Sequence, residues 1–299
     1  MFRFNLNIDR EYFDWMYKRF KLYDTIIWII NMEIIIRDSA KSDSFATVFQ
    51  HIKLFTEHVS LLCDESGVKM QCMDTAHVAI VELTLPKEWF DMYKIAPGQT
   101  SRLGFNATFL HRILSSREKD QQTHLVYSPE ETDRLIVNLT SLETSEEKKP
   151  QAKPSFDKHF ELPLMDIEED GMCIPEVDYT ADLSMLSVQF SAIITQLKMF
   201  GDTMEVKCSE EQIALASTSQ EQGKMFVEIG INDLSEFAID EGANLTLLFS
   251  LTYLKNICAY NKISENVRIQ FSYAYPMRAE YDLGSNGSLV FHLAPKIDD

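Results

Sequence analysis

The sequence predicts an α+β protein of two similar domains, each with two helices laid on antiparallel strands, and three observations carry that prediction. Residues 45–55 lie over residues 190–200 with every large apolar position of the first run on an apolar position of the second, phenylalanine at both ends and Lys53 on Lys198. Residues 106–114 lie over 250–258 at nearly the same offset, with threonine, aromatic, leucine, basic and isoleucine positions coinciding. Two matches at one offset mark an internal duplication. Between the copies, residues 163–177 have neither strand alternation nor a helical stripe and read as the join. The division is an extension at 1–31, a first domain at 32–162, a connector at 163–177 and a second domain at 178–299.

Taken in order, residues 1–31 stand apart from the rest. Aromatic and basic residues crowd there, and Tyr12, Trp15, Met16, Arg19 and Tyr23 share one helical face. Three readings are open: a helix packed on the body, an arm that touches a partner or nucleic acid, or a segment omitted when translation starts at Met32. Residues 32–38 read as a strand. Ser42 or Asp43 is placed to cap a helix over 44–57, with Phe45, Val48, Phe49, Ile52 and Phe55 as its stripe. Glu65-Ser66-Gly67 reads as a turn, and 68–73 and 77–85 alternate as strands. A second helix is expected over 106–115 with Phe109, Leu110, Ile113 and Leu114 facing inward. Strands follow at 123–127 and 134–139, then a polar loop at 145–155 and a strand at 156–162.

The connector carries Glu168-Glu169-Asp170, which must face water because three uncompensated carboxylates are costly to bury. Its Leu164, Met165, Ile167, Met172 and Ile174 need cover, so it reads as a strap crossing the protein surface. Beyond it come a strand at 178–184, a helix over 188–201 closed by Gly201, strands at 204–208, 213–217 and 225–231, a helix over 250–259, and strands at 267–273, 278–283 and 288–293.

At 299 residues, 45% hydrophobic and 25% charged, the chain has the size and composition of a soluble protein with two full cores. A net charge of −18 argues against a generally basic grip on nucleic acid and leaves room for a local basic patch. Cys63, Cys72, Cys173, Cys208 and Cys258 are odd in number, scattered and without a C-x-x-C pair or a histidine cluster, which predicts free thiols in a reducing compartment and no zinc site. The most apolar run, 25–36, is too short and too broken to span a bilayer. The acids before it argue against a transit peptide, and no small-residue cleavage site follows it.

No enzyme motif emerges. Asp166, Glu168, Glu169 and Asp170 lack the histidine and glycine geometry of a metal site. His77 beside Asp74 and Thr75 has no nucleophile motif, and there is no G-x-x-x-x-G-K-[ST] phosphate loop. The expectation is no catalytic residue, no metal and no cofactor. The exposed helix faces carry Lys53, His111, Arg112, Lys198 and Lys255 with few acids. Two readings remain: a chance solvated face, or four helices lining one surface that meets a polyanion.

The run Ser66-Gly67-Val68-Lys69-Met70-Gln71-Cys72-Met73-Asp74-Thr75-Ala76-His77-Val78-Ala79-Ile80-Val81-Glu82-Leu83-Thr84-Leu85 resembles the signature of the eukaryotic-type sliding clamps, the proliferating cell nuclear antigen family. So do Leu164-Met165-Asp166, Ile174-Pro175-Glu176 and Leu293-Ala294-Pro295-Lys296-Ile297. The resemblance covers Met32 to Asp299 in unbroken order. The extension, the loop at 145–155 and the lack of a longer acidic tail depart from it, as in a divergent clamp; a large DNA virus is one candidate source.

What the resemblance implies is a homotrimeric ring with sheets outside and helices lining a hole around duplex DNA. Such a ring needs no base readout, only a weak, screened attraction to phosphates. It implies a processivity factor that tethers DNA polymerase and other replication and repair proteins, is opened by a separate clamp loader, and works in the nucleus or at a viral replication site. The alternative is one subunit of a heterotrimeric checkpoint-type clamp, which the intact Ile174-Pro175 and Ala294-Pro295-Lys296-Ile297 disfavour. An outside reading, a hydrolase using the acidic strap, would show in a metal titration.

Position by position, the resemblance implies DNA contacts at Lys53 and Arg112. Lys198, Lys255, Arg117, Lys119 and Lys262 would compensate for Ala46, Thr47, Ala192, Thr195 and Ala259, where basic residues are usual. It implies a partner-peptide groove made by Met73, His77, Val78, Ile80, Met172, Ile174, Pro175, Pro276, Ala294, Pro295 and Ile297. His292 stands at its floor where a tyrosine is usual, leaving a smaller, more polar floor. The peptide expected there carries a leading glutamine, an aliphatic anchor and two aromatic residues. Ring closure is implied between strands 156–162 and 224–231, with Phe160 and Met225 near the contact.

Overall fold

The computed structural model describes residues 32–129, 133–142, 156–167, 172, 174, 175 and 177–297. The expectations for 1–31, for the polar loop at 145–155 (save its neighbours) and for the acidic run 168–170 lie outside the described residues.

Strand β1 (Met32–Ile36) leads into helix α1 (Ser39–Ile52). The cap is Asp38, whose carboxylate accepts from the Lys41 amide at 2.9 Å, and not Ser42 or Asp43. Ser42 is buried inside the helix. The first turn, Ser39-Ala40-Lys41-Ser42, has no large apolar residue to announce it, so the apolar stripe alone starts the helix too late. β2 (His58–Asp64), β3 (Gly67–Met73) and β4 (Ala79–Pro86) follow. Gly67 turns at φ +143, and a Cβ there would lie 2.2 Å from the Leu85 carbonyl oxygen, so only glycine fits. β4 begins at Ala79 because residues 74–78 fold into a loop with His77 at φ +58.

The first copy continues with β5 (Met92–Ile95), β6 (Ser101–Asn106), α2 (Ala107–Leu114), β7 (Gln121–Tyr127), β8 (Arg134–Ser141) and β9 (Lys158–Pro163). Asn106 caps α2, its side chain accepting from the amides of Thr108 and Phe109. Leu110 and Leu114 are buried as expected, but Phe109 is 50% exposed. The second copy runs β10 (Ala181–Leu186), α3 (Ser187–Leu197), β11 (Thr203–Cys208), β12 (Ile213–Ser219), β13 (Gly223–Ile229), β14 (Glu236–Ile239), β15 (Leu245–Ser250), α4 (Leu251–Cys258), β16 (Asn266–Phe271), β17 (Met277–Gly284) and β18 (Gly287–Leu293). α3 stops at Leu197 with Lys198 as a right-handed C-cap, so Gly201 does not close it.

Three antiparallel sheets result. One has the order β5-β1-β7-β8-β9, a second β13-β12-β11-β15, and the largest β14-β10-β16-β17-β18-β4-β3-β2-β6. The nine-stranded sheet is a five-stranded unit of the second copy joined to a four-stranded unit of the first. The join is β18 against β4, with Phe291 opposite Val81 and Leu289 opposite Leu83. The core runs through it. Phe291 packs on Phe55 and on the fully buried Tyr260, whose hydroxyl reaches the Val48 carbonyl at 3.3 Å.

The helices form one layer in the order α2-α1-α4-α3. His111 on α2 meets the Ala46 carbonyl of α1 at 3.2 Å. Asn256 on α4 donates to the Leu54 carbonyl just past α1, and Lys198 past α3 donates to Thr252 on α4.

Candidate functional site

The groove begins where β3 ends. The Asp74 carboxylate accepts from the amides of Ala76, Val78 and Ala79 at 2.6–3.0 Å and from the Tyr253 hydroxyl at 2.6 Å. Burial pushes its carboxyl up, but those hydrogen bonds outweigh burial and hold it below its ordinary value. The hydrogen bond to Asp74, with burial, pushes Tyr253 up to about 12. Asp74 is therefore committed to its loop and does not partner His77, which is exposed.

The fixed loop presents Val78, whose carbonyl accepts from the Ala294 amide at 3.0 Å. Ile80 lies opposite both Met73 on β3 and His292 on β18. Pro276 directly precedes Met277, which pairs with Leu293. The terminal segment is tied down by Lys296, whose amide reaches the Leu248 carbonyl at 2.7 Å, while Ile297 beyond it is 89% exposed.

The strap crosses this end of the sheet. Gly104 on β6 lets it in close, since a Cβ there would lie 2.3 Å from the Met165 carbonyl oxygen. The Met165 amide in turn donates to the Gly104 carbonyl at 2.9 Å. Further on, the Gln71 side chain grips Met172 at two points, amide to Oε1 and Nε2 to carbonyl, both at 2.9 Å. Ile174 and Pro175 then lie over a cavity of about 620 Å³ floored by Glu82, Arg278 and His292. Ten of the eleven groove residues thus lie at or beside one end of β3, β4, β17 and β18, while Ile297 projects into solvent beyond the tie of Lys296 to Leu248. Gln71, Glu82 and Arg278 were missed because an outward polar residue on a strand is what solvent exposure alone requires.

The cations of the helix layer are unequal. Lys53 and Lys255 are exposed, near where Asn256 meets Leu54. The Arg112 guanidinium sits 5.7 Å from the centre of the Phe109 ring. Lys198 is ion-paired to Asp202 and bonded to Thr252, so its charge is already compensated. Arg117 is anchored on Asp43 and Ser39 with its side chain 5% exposed, which makes it structural. Burial, then His111, Lys53 and Lys262, lower His51, which leaves it uncharged at neutral pH.

The expected contact strands are both sheet edges. Among the described residues β9 is paired only with β8 and β13 only with β12. Leu162 is buried and Phe160 half-buried, alternating with exposed His159 and Glu161. Met225 and Val227 alternate with exposed Lys224, Phe226 and Glu228. Phe160 and Met225 are on different sheets and do not meet within one chain. Among the described residues no group of His, Cys, Asp and Glu could hold a metal ion, and no helix is long and apolar enough to cross a membrane.

Comparison with known proteins matches this architecture. The family model for the N-terminal domain of proliferating cell nuclear antigen matches residues 39–172, and that for its C-terminal domain matches residues 173–296. The chain is 28% identical over 270 residues to the proliferating cell nuclear antigen of Chaetomium thermophilum, covering 84% of this chain and 94% of that one. It is 26% identical over 264 residues to proliferating cell nuclear antigen 2 of Plasmodium falciparum, covering 85% and 96%.

Proposed function

The chain belongs to the proliferating cell nuclear antigen family of non-enzymatic DNA sliding clamps, and from that premise we propose that it closes into a homotrimer around duplex DNA and tethers a polymerase and other replication and repair proteins through the strap groove. The observation that carries the ring is the pair of open edges. Within the chain, β18 of one copy completes a sheet with β4 of the other. The repeat makes β9 the counterpart of β18, and β13 the counterpart of β4. Pairing β9 with β13 of the next subunit rebuilds the same nine-stranded sheet. Such a head-to-tail contact closes when its rotation is right, and it removes two edges that are otherwise aggregation hazards.

The internal join also supplies a register. Phe160 is opposite Val137 on β8 as Phe291 is opposite Ala279 on β17. Met225 is opposite Ser217 on β12 as Val81 is opposite Cys72 on β3. Since Phe291 faces Val81 and Leu293 faces Ala79, the ring contact sets Phe160 against Met225 and Leu162 against Gly223.

The test is light scattering plus a crosslink. Purified chain has the mass of a trimer at micromolar concentration. Phe160→Cys with Met225→Cys gives an oxidant-dependent oligomer ladder, whereas Phe160→Cys with Phe226→Cys, one residue out of register, does not. A monomer that assembles only with other chains is the result a heterotrimeric checkpoint-type subunit would give. The workplace of such a clamp is the nucleus, with a viral replication site as the alternative that imaging the tagged chain separates.

A further inference from the structure

The outer face of the nine-stranded sheet under the strap is polar where a peptide socket is ordinarily greasy. Glu82 is its hub. One carboxylate oxygen meets His292 Nε2 at 2.9 Å and the other accepts from Gln71 Nε2 at 3.0 Å. His292 is 6% exposed, while the Glu82 side chain keeps 31% of its surface open toward the space above. Arg278 is held by Gln270 at 2.9 Å and Glu280 at 2.7 Å. Ile174, Pro175 and Tyr179 also line the cavity.

We propose that Glu82 and His292 make the aromatic position of this groove prefer a phenol over a phenyl ring. The inference rests on the strap groove being the partner site. Ile174 and Pro175 offer an apolar wall for an aromatic ring, and a cavity of about 620 Å³ leaves ample room for one. The chemistry at the end of the ring decides between phenol and phenyl. A carboxylate has about four acceptor positions, and Glu82 uses two of them among the described residues. A phenolic O–H entering here donates to a charged acceptor that the ring itself covers. A phenyl ring strips water from that acceptor and returns nothing.

Charge selects a neutral donor over an anion. Glu82, Glu280 and Asp178 outnumber Arg278 around the space, so a carboxylate or a phosphorylated tyrosine is repelled. The same carboxylate is joined through Gln71 to both polar backbone atoms of Met172. Floor and strap are therefore one hydrogen-bonded unit, and the strap stays in place as the subsite fills.

The experiment uses the intact protein and two synthetic peptides that follow Q-x-x-Ile-x-x-aromatic-aromatic and differ by one oxygen, a tyrosine against a phenylalanine at the aromatic pair. Calorimetry on the wild type gives the tyrosine peptide about tenfold tighter, as expected for a hydrogen bond to a charged group. Glu82→Gln and, separately, His292→Phe bring the two affinities to within about twofold of each other, with mass and unfolding midpoint verified for each variant. Equal affinities on the wild type, or a tyrosine preference that survives Glu82→Gln, overturn the proposal. If neither peptide binds the wild type, or if both bind Ile174→Lys as well as wild type, the groove reading falls and this inference with it.

Discussion

The Asp74 carboxylate accepts from four donors, three amides of its own loop and the hydroxyl of Tyr253 on α4. One side chain thus shapes the loop that carries His77 and Val78 and fastens it to the other copy. Its carboxyl is held below the ordinary value of 3.8. A lowered carboxyl stabilises the fold above the unfolded value, and that stabilisation is lost as pH falls through the folded one. Asp74→Asn keeps the shape but turns an NH2 toward donors, and should cost about 2–3 kcal/mol at pH 7. Thermal unfolding at fixed protein concentration measures it. The gap between wild type and variant is largest at neutral pH and narrows below about pH 4; a gap that stays constant would show that the charge contributes nothing. Sequence could not expose this, because three of the four donors are backbone groups and the fourth is 179 positions away.

At the scale of elements, large apolar stripes were legible and small polar signals were not. The stripe of α1 is buried residue for residue at Phe45, Val48, Phe49 and Ile52, yet its first turn was invisible. β5 and β14 escaped notice as four-residue sheet edges with little burial, and β6 because Gly104 breaks its pattern in order to admit the strap. The helix layer shows the same limit. Counting cations gives Lys53, Arg112, Lys198 and Lys255 equal weight, but Asp202 neutralises Lys198. Each free cation that meets a phosphate contributes about 0.9 to the slope of log affinity against log salt. Alanine at Lys53, Arg112 or Lys255 should therefore lower the slope for a short duplex by up to about one, and Lys198→Ala should lower it least. Anisotropy titrations between low and moderate salt give the four slopes; a Lys198→Ala loss equal to the others would mean that the lysine leaves Asp202 for DNA.

At the scale of the whole molecule, two electrostatic effects oppose each other. Three chains carry 3 × (−18) = −54 formal charges, so the subunits repel at long range while the helix layer, as the proposed DNA-facing surface, attracts phosphates locally. The proposed contact between β9 and β13 is built mainly from backbone pairing and from Phe160, Leu162, Met225 and Val227, none of them charged. Salt screens charges separated by more than about 10 Å at 0.1 M and leaves such apolar contacts in place. Adding salt should therefore tighten the trimer by reducing subunit repulsion, while the same salt releases DNA. Sedimentation equilibrium between about 20 and 300 mM salt measures the first, and duplex titrations over the same range measure the second. The exposed rim of the contact sets Glu161 against Lys224 and His159 against Phe226, so it offers one directly opposed ion pair, and an exposed pair of that kind contributes only about 1 kcal/mol or less. A trimer that dissociates as salt rises would mean that ion pairs, not strand pairing, hold the ring shut.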